Sequence, residues 1–197
     1  LGAKQSGHIA AIGFDLYTRL LANQVQRLRA LRDGTPLPPA EPKAVTIDLP
    51  LTVGLPESYI GDTPLRVQLY RRAASLDSEE TIRRFEEELE DRFGKLPLAA
   101  RNLTYQLRLK LLATALGAQS ITTEGNRFTI RAEAIGRMSP QRLRRAIGSD
   151  ALIGRAQVSF LRSGTPDHWK GRLMDVLQRL VEMKAALPAA PTSVHPQ

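Results

Sequence analysis

DSEETIRRFEEELEDRFGKLPLAARNLTYQLRLKLLATALG, residues 77–117, reads as two consecutive helices with their boundaries. Asp77 and Glu80 have the spacing of a capping box, with Asp77 in the capping position. Ile82, Phe85, Leu89 and Phe93 then recur at helical spacing and predict a buried stripe. Glu79 with Arg83, Glu80 with Arg84 and Glu88 with Arg92 stand in the favourable i,i+4 order. Each such pair contributes only a few tenths of a kcal/mol, so the stripe and not the charges should hold this helix. Gly94 is expected to close it in a left-handed conformation. The second helix is predicted from about Pro97 to Leu116, with Gly117 ending it. Leu98, Leu103, Leu107, Leu109, Leu111, Leu112 and Leu116 cover more than one face, which predicts a central helix.

Downstream, Ser120 to Ala132 reads as a β-hairpin. Ile121 and Thr123 alternate, Glu124-Gly125-Asn126 turns, and Phe128 and Ile130 alternate back. Ser139-Pro140 predicts another helix start, with Met138 and Leu143 spaced as a hydrophobic staple. Gln157 to Leu161 reads as a short strand with Val158 and Phe160 on one face. Thr165-Pro166 opens a last helix whose inward face is Trp169, Leu173, Val176, Leu177, Leu180 and Val181. The Pro- and Ala-rich tail, 188–197, is expected to be disordered.

Upstream, Thr63-Pro64 predicts a helix with Thr63 as the cap and Leu65, Leu69 and Ala73 as its stripe. Val45, Ile47 and Leu49 alternate with Thr46 and Asp48, the pattern of a half-buried strand. Residues 33–43 hold Pro36, Pro38, Pro39 and Pro42 and read as a stiff extended linker. Leu16, Leu20, Leu21, Val25, Leu28 and Leu31 predict a connector helix over 14–32. The expected division is therefore a segment 1–13, the connector helix, the linker, one domain over 44–187, and the tail. Strands and helices do not alternate regularly. The expected fold class is α+β, a helical cluster packed on a small mixed or antiparallel sheet and preceded by a long connector helix.

The bulk composition narrows the function. Of 197 residues, 42% are hydrophobic and 24% charged, which suffices for an aliphatic core, while aromatics make up 5%. No cysteine is present, so disulfides, thiolate metal sites and a cysteine nucleophile are excluded. No apolar run approaches the ~20 residues that span a bilayer. The first residues lack the pattern of a signal peptide, and the chain is expected to be a segment of a longer polypeptide. A net charge of +8 favours approach to polyanions or acidic protein faces.

No catalytic constellation emerges. Gly2-Ala3-Lys4-Gln5-Ser6-Gly7 lacks the spacing of a phosphate-binding loop, and no nucleophile elbow is present. His8, His168 and His195 are far apart and have no second ligand at helical spacing, so no metal site is expected. The carboxylates Glu86, Glu87, Glu88, Glu90 and Asp91 share a helix whose stripe is apolar, so most should face water or a partner. Arg137, Arg142, Arg144 and Arg145 are the candidate contacts to DNA phosphate or to a partner. No aromatic residues interleave them, and no base-reading motif is present.

A resemblance adds to this reading. Gly2-Ala3-Lys4-Gln5-Ser6-Gly7-His8-Ile9-Ala10-Ala11-Ile12-Gly13-Phe14-Asp15-Leu16-Tyr17 resembles the end of the TRG translocation motif of the transcription-repair coupling factor (Mfd) family, and less closely that of RecG helicases. Leu49-Pro50 through Leu55-Pro56-Glu57-Ser58-Tyr59-Ile60 is similar to a further pattern of that family, and Leu65-Arg66 to Leu69-Tyr70-Arg71-Arg72 follows in register. Asp91-Arg92-Phe93-Gly94-Lys95-Leu96-Pro97 is the most specific single match. One departure is Val53-Gly54-Leu55, where the family often has Ala-Tyr-Ile.

The resemblance implies a bacterial, cytoplasmic parent: an ATP-dependent double-stranded DNA translocase of helicase superfamily 2. Such a parent displaces stalled RNA polymerase and recruits UvrA for nucleotide excision repair. It places Gln5, with Ser6 and Gly7, in the loop coupling hydrolysis to DNA movement. ATP and Mg would bind upstream lobes, leaving this segment without a cofactor or catalytic role. The domain itself would be a regulatory, autoinhibitory module docking on the UvrA-binding module of the same polypeptide. The alternative expectation is a basic nucleic-acid-binding accessory domain of a helicase.

Overall fold

The computed structural model describes residues 45–188. The expectations for 1–13, 14–32 and 33–43, and for the tail beyond Pro188, lie outside the described residues.

Strand β1 (Thr46–Asp48) is followed by three helices, α1 (Thr63–Ala74), α2 (Glu79–Phe93) and α3 (Leu98–Leu116). The hairpin β2 (Ala118–Glu124) and β3 (Arg127–Ala132) comes next, then a 3-10 helix (Glu133–Arg137) and α4 (Pro140–Ile147). Strands β4 (Leu152–Ile153) and β5 (Gln157–Leu161) and helix α5 (Pro166–Ala185) complete the fold. The sheet order is β1-β2-β3-β5-β4. β1 lies parallel to β2, with Ile47 opposite Ile121, and every other pairing is antiparallel. The fold is α+β on a mixed sheet.

Local chemistry explains the boundaries, with five corrections. The cap of α1 is Asp62, not Thr63: the Leu65 N–H donates to Asp62 Oδ1 (2.7 Å). The cap of α2 is Ser78, not Asp77, because Ser78 has the extended backbone that a cap requires. Its box closes on Thr81, not on Glu80: the Thr81 N–H donates to Ser78 Oγ (3.3 Å) and the Ser78 N–H to Thr81 Oγ1 (3.2 Å). Gly94 has φ +83° but ψ −171°, outside the left-handed helical well, whereas Gly117 at φ +73°, ψ +34° lies within it. The turn of the hairpin narrows to Gly125-Asn126, with positive φ at Gly125 alone, the pattern of a II′ turn.

Burial follows the predicted stripes into two hydrophobic cores. The first holds Leu69, Tyr70 and Ala73 of α1, Ile82, Phe85 and Leu89 of α2, and Ala100, Leu103 and Leu107 of α3. Leu65 and Phe93 are only half-buried at its margin. The second lies between the sheet and α3, α4 and α5. There Ile121, Phe128, Ile130, Val158 and Phe160 meet Leu109, Leu143, Trp169, Leu173 and Leu177. Met138 and Leu143, the two staple residues, are both buried in this core. Phe128 centres it, with ring centroids 5.8 Å from Phe160 and 5.1 Å from Trp169. Each fully buried side chain of this size contributes about 1.5–3 kcal/mol. That outweighs any single exposed ion pair, worth about 0–1 kcal/mol.

Helix α3 belongs to both cores, its first half to one and its second half to the other. Leu98 is exposed at its start, so its leucines split between the cores and solvent. Polar bonds fasten this spine on either side. Asn102 Nδ2 donates to the Thr52 carbonyl (2.8 Å), and Lys170 Nζ of α5 donates to Asn102 Oδ1 (2.6 Å). Tyr105 Oη donates to the Lys170 carbonyl (2.9 Å). Burial pushes the Tyr105 hydroxyl pKa well up, so it remains a neutral donor there.

Candidate functional site

Two charged surfaces stand out, one on each core. The first is α2. Its apolar stripe faces inward, and arginines on three helices organise its carboxylates. Arg83 pairs with Glu80 (2.9 Å) and with Glu87, and Arg84 with Glu80 (2.8 Å). Arg92 pairs with Glu88 (3.0 Å), and Arg72 of α1 also reaches Glu88. Two of the expected i,i+4 pairs are present. The third, Glu79 with Arg83, is replaced: Glu79 turns to Arg108 of α3, whose Nε lies 2.8 Å from its Oε1.

The carboxylate cluster does not all face water. Glu86 is half-buried, held by Arg108, and Glu88 is half-buried between Arg72 and Arg92. Glu87, Glu90 and Asp91 remain exposed. Burial pushes the Glu86 carboxyl pKa up, but hydrogen bonds from Arg108 and Thr104, with the Arg108 charge, outweigh it and hold it below the ordinary range. Burial likewise raises that of Glu88, and Arg72 and Arg92 more than offset it. These groups are fixed anions.

The second surface is α4. Leu143 and Ile147 enter the core, which leaves Arg142, Arg144 and Arg145 exposed on the outer half of the helix. Arg137 ends the preceding 3-10 helix, also exposed, and donates to the Pro188 carbonyl. The structure therefore brings the four predicted arginines onto one short stretch of surface. Two arginines that sequence reading missed join them from α5. Arg179 Nη1 donates to the Ala146 carbonyl (2.9 Å) and Arg172 Nη2 to the Ile147 carbonyl (3.2 Å). Both satisfy carbonyls that the end of α4 leaves open, where positive charge is also favoured by the helix dipole. Arg172 is anchored in turn by Asp150 Oδ1 (2.6 Å). Spacing along α5 places these residues on one side of the helix, but their partner helix is a tertiary fact.

A further residue missed in sequence is Arg66, a buried guanidinium in the first core. It donates to the carbonyls of Ile60 and Gly61 and to Thr63 Oγ1 (3.1 Å), which locks the loop ahead of α1. His168 is exposed in the first turn of α5, its backbone N–H donating to Thr165 Oγ1 (3.4 Å). Among the described residues, no group of three His, Asp or Glu side chains is placed to hold a metal ion. No helix among them is long and apolar enough to cross a membrane. Gln5, Ser6 and Gly7, with His8 and His195, lie outside the described residues.

Comparison with known proteins matches residues 49–143 to the TRCF domain family. The transcription-repair-coupling factor of Mycobacterium bovis is 33% identical over 201 residues, covering 97% of this chain and 16% of that protein. That of Haemophilus influenzae is 32% identical over 160 residues, covering 81% of this chain and 14% of its own length. That of Rickettsia bellii is 34% identical over 131 residues, 66% of this chain and 11% of its own length. The chain thus spans less than a fifth of each of these relatives. A crystal structure of the C-terminal domain of transcription-repair coupling factor shares the fold. It superposes with a TM-score of 0.60 at 22% identity, covering 72% of this chain and 94% of that one. From motif, family match and fold together, this chain carries a TRCF domain over residues 49–143 and is a relative of the transcription-repair coupling factors.

Proposed function

We propose that this chain is a regulatory, non-catalytic part of a transcription-repair coupling factor, and that its folded domain covers the UvrA-binding module of the same polypeptide until the motor engages. The observation that carries this reading is the TRCF family match, which falls on a fold whose α2 carboxylates Glu86 and Glu88 are held in ion pairs. Fixed anions on α2 present a preorganised face, and preorganisation lowers the entropic cost of docking. A domain tethered to its target docks at high effective concentration, so a weak contact suffices to keep a surface covered and remains easy to release.

In this reading the parent is an ATP-driven double-stranded DNA translocase that displaces stalled RNA polymerase and recruits UvrA. ATP and Mg belong to lobes upstream of this segment, and Gln5, Ser6 and Gly7 serve the coupling of hydrolysis to movement. The regulatory domain is assigned to 44–187, and the segments ahead of it lie outside the described residues. The protein works in the bacterial cytoplasm.

The test is made in trans and in the parent. The isolated 197-residue chain is titrated against the UvrA-binding module by calorimetry, and UvrA binding is compared in the parent with and without residues 44–187. Saturable binding in trans, with stronger UvrA binding after deletion, supports autoinhibition. No saturable binding up to about 1 mM, the order of effective concentration that a tether supplies, with unchanged UvrA binding after deletion, removes it.

A further inference from the structure

We propose that the arginine ridge on α4 binds the phosphate backbone of double-stranded DNA without regard to base sequence, an activity of this domain separate from any docking on its own polypeptide. The first observation is charge segregation between the two halves of the described chain. Residues 118–188 carry twelve Arg and Lys against six Asp and Glu, whereas residues 45–117 carry ten against eleven. Ion pairing divides in the same way. Seven ion pairs lie within α2 or link it to α1 and α3, and Arg172–Asp150 is the one pair formed beyond Gly117 among the described residues. The excess positive charge of the second half is therefore left to solvent.

The excess is concentrated. Arg142, Arg144 and Arg145 fan across the outer half of α4, and none is paired with a carboxylate. Arg137 precedes the helix and Arg179 flanks its end, both exposed. The neighbouring acids on α5, Asp175 and Glu182, are exposed and form no ion pair among the described residues. An eight-residue helix is about 12 Å long, so the ridge spans about three or four phosphates of one strand.

Two features select duplex DNA over other anions. A protein partner needs apolar or aromatic anchors at the centre of an interface. Among the described residues the exposed large hydrophobic side chains are Leu98, Leu152 and Leu161, and none is on α4. A single strand needs aromatic side chains on which bases stack, and the ridge has none. Guanidinium forks over a regular array of phosphates need neither.

The test is fluorescence anisotropy of the 197-residue chain with a labelled 20-base-pair duplex of arbitrary sequence, titrated at several salt concentrations. Binding should fall with salt with a log–log slope of about −3, the value for three to four neutralised phosphates. Arg142→Ala/Arg144→Ala/Arg145→Ala should bind at least ~10-fold more weakly at 50 mM salt and flatten the slope to about −1. Arg71→Ala/Lys95→Ala/Arg101→Ala removes the same charge from exposed positions on the other half and should change binding less than ~3-fold. An equal loss in both triple variants means that net charge and not the ridge is responsible, and overturns the proposal. Absence of binding at 20 mM salt overturns it as well. Tighter binding to polyglutamate than to the duplex assigns the ridge to an acidic protein, and tighter binding to single-stranded DNA contradicts the duplex assignment.

Discussion

Arg108 on α3 grips both carboxylate oxygens of Glu86 on α2, with Nη1 2.8 Å from Oε1 and Nη2 2.7 Å from Oε2. Its Nε reaches Glu79 at the same time (2.8 Å), so one guanidinium binds two points on the neighbouring helix. The planar fork of arginine matches this arrangement, and a lysine ammonium cannot.

Arg108→Ala should therefore cost about 1–3 kcal/mol, because it leaves the half-buried Glu86 without its cation. Arg108→Lys should recover less than half of that loss. Urea denaturation checks both, and a double-mutant cycle with Glu86→Gln isolates the pair. A coupling energy near zero would show that the fork contributes nothing to stability.

Stability should fall on acidification, for a definite reason. The carboxyl pKa values of Glu86 and Asp150 are held below the ordinary range in the fold. For Asp150, burial pushes it up, while Arg172 and the Leu161 N–H more than offset that. The unfolded chain therefore binds these protons first. The stabilisation is complete above about pH 4.5 and is lost as pH drops through the lower folded values. Glu86→Gln and Asp150→Asn should each flatten the acid limb of melting temperature against pH, followed by circular dichroism between pH 2 and 6. An acid limb unchanged in both variants would assign the loss to other carboxylates.

Gly54 sits where Tyr70 leaves no room. Its φ is +149°, and a Cβ there would lie 2.8 Å from Tyr70 Oη, which itself accepts the Leu55 N–H (2.7 Å). The departure from the family's Ala-Tyr-Ile pattern thus has a local partner in Tyr70. Gly54→Ala should destabilise by about 1–3 kcal/mol, from backbone strain plus the close approach. Tyr70→Phe should cost about 1–3 kcal/mol by leaving the buried Leu55 N–H unpaired. Because Tyr70→Phe also frees the space, the double variant should lose less than the sum, as read by thermal melts. Strict additivity would refute the contact.

The two cores should unfold together, because α3 is a single helix common to both. Phe85→Ala in one and Phe128→Ala in the other should each cost about 3–5 kcal/mol. Each should shift one shared transition in calorimetry and not split it. Two resolved transitions in either variant would mean that α3 does not couple the cores.

Helix stripes were legible in sequence because Ile82, Phe85 and Leu89, or Trp169, Leu173 and Val176, repeat at a period that water and core enforce locally. The hairpin was legible for the same reason. Caps were misplaced by one residue at Asp62 and Ser78, since Asp, Ser and Thr all accept the same N–H and only backbone geometry chooses among neighbours. The 3-10 helix at Glu133–Arg137 and the two-residue β4 are too short to carry a period. The four arginines of the ridge could be found from charge alone. That Arg179 joins them, and that Glu79 abandons Arg83 for Arg108, depends on helices far apart in sequence.

The parallel pairing of β1 with β2 has a kinetic consequence. Ile47 meets Ile121 only after α1, α2 and α3 have intervened. Closing a loop of that length costs on the order of 4 kcal/mol in chain entropy before any ladder bond is returned. The helical block is expected to assemble first and bring the ends into reach, so that β1 joins late. During synthesis on the ribosome, β1 must wait for a partner that is made only after three helices have emerged.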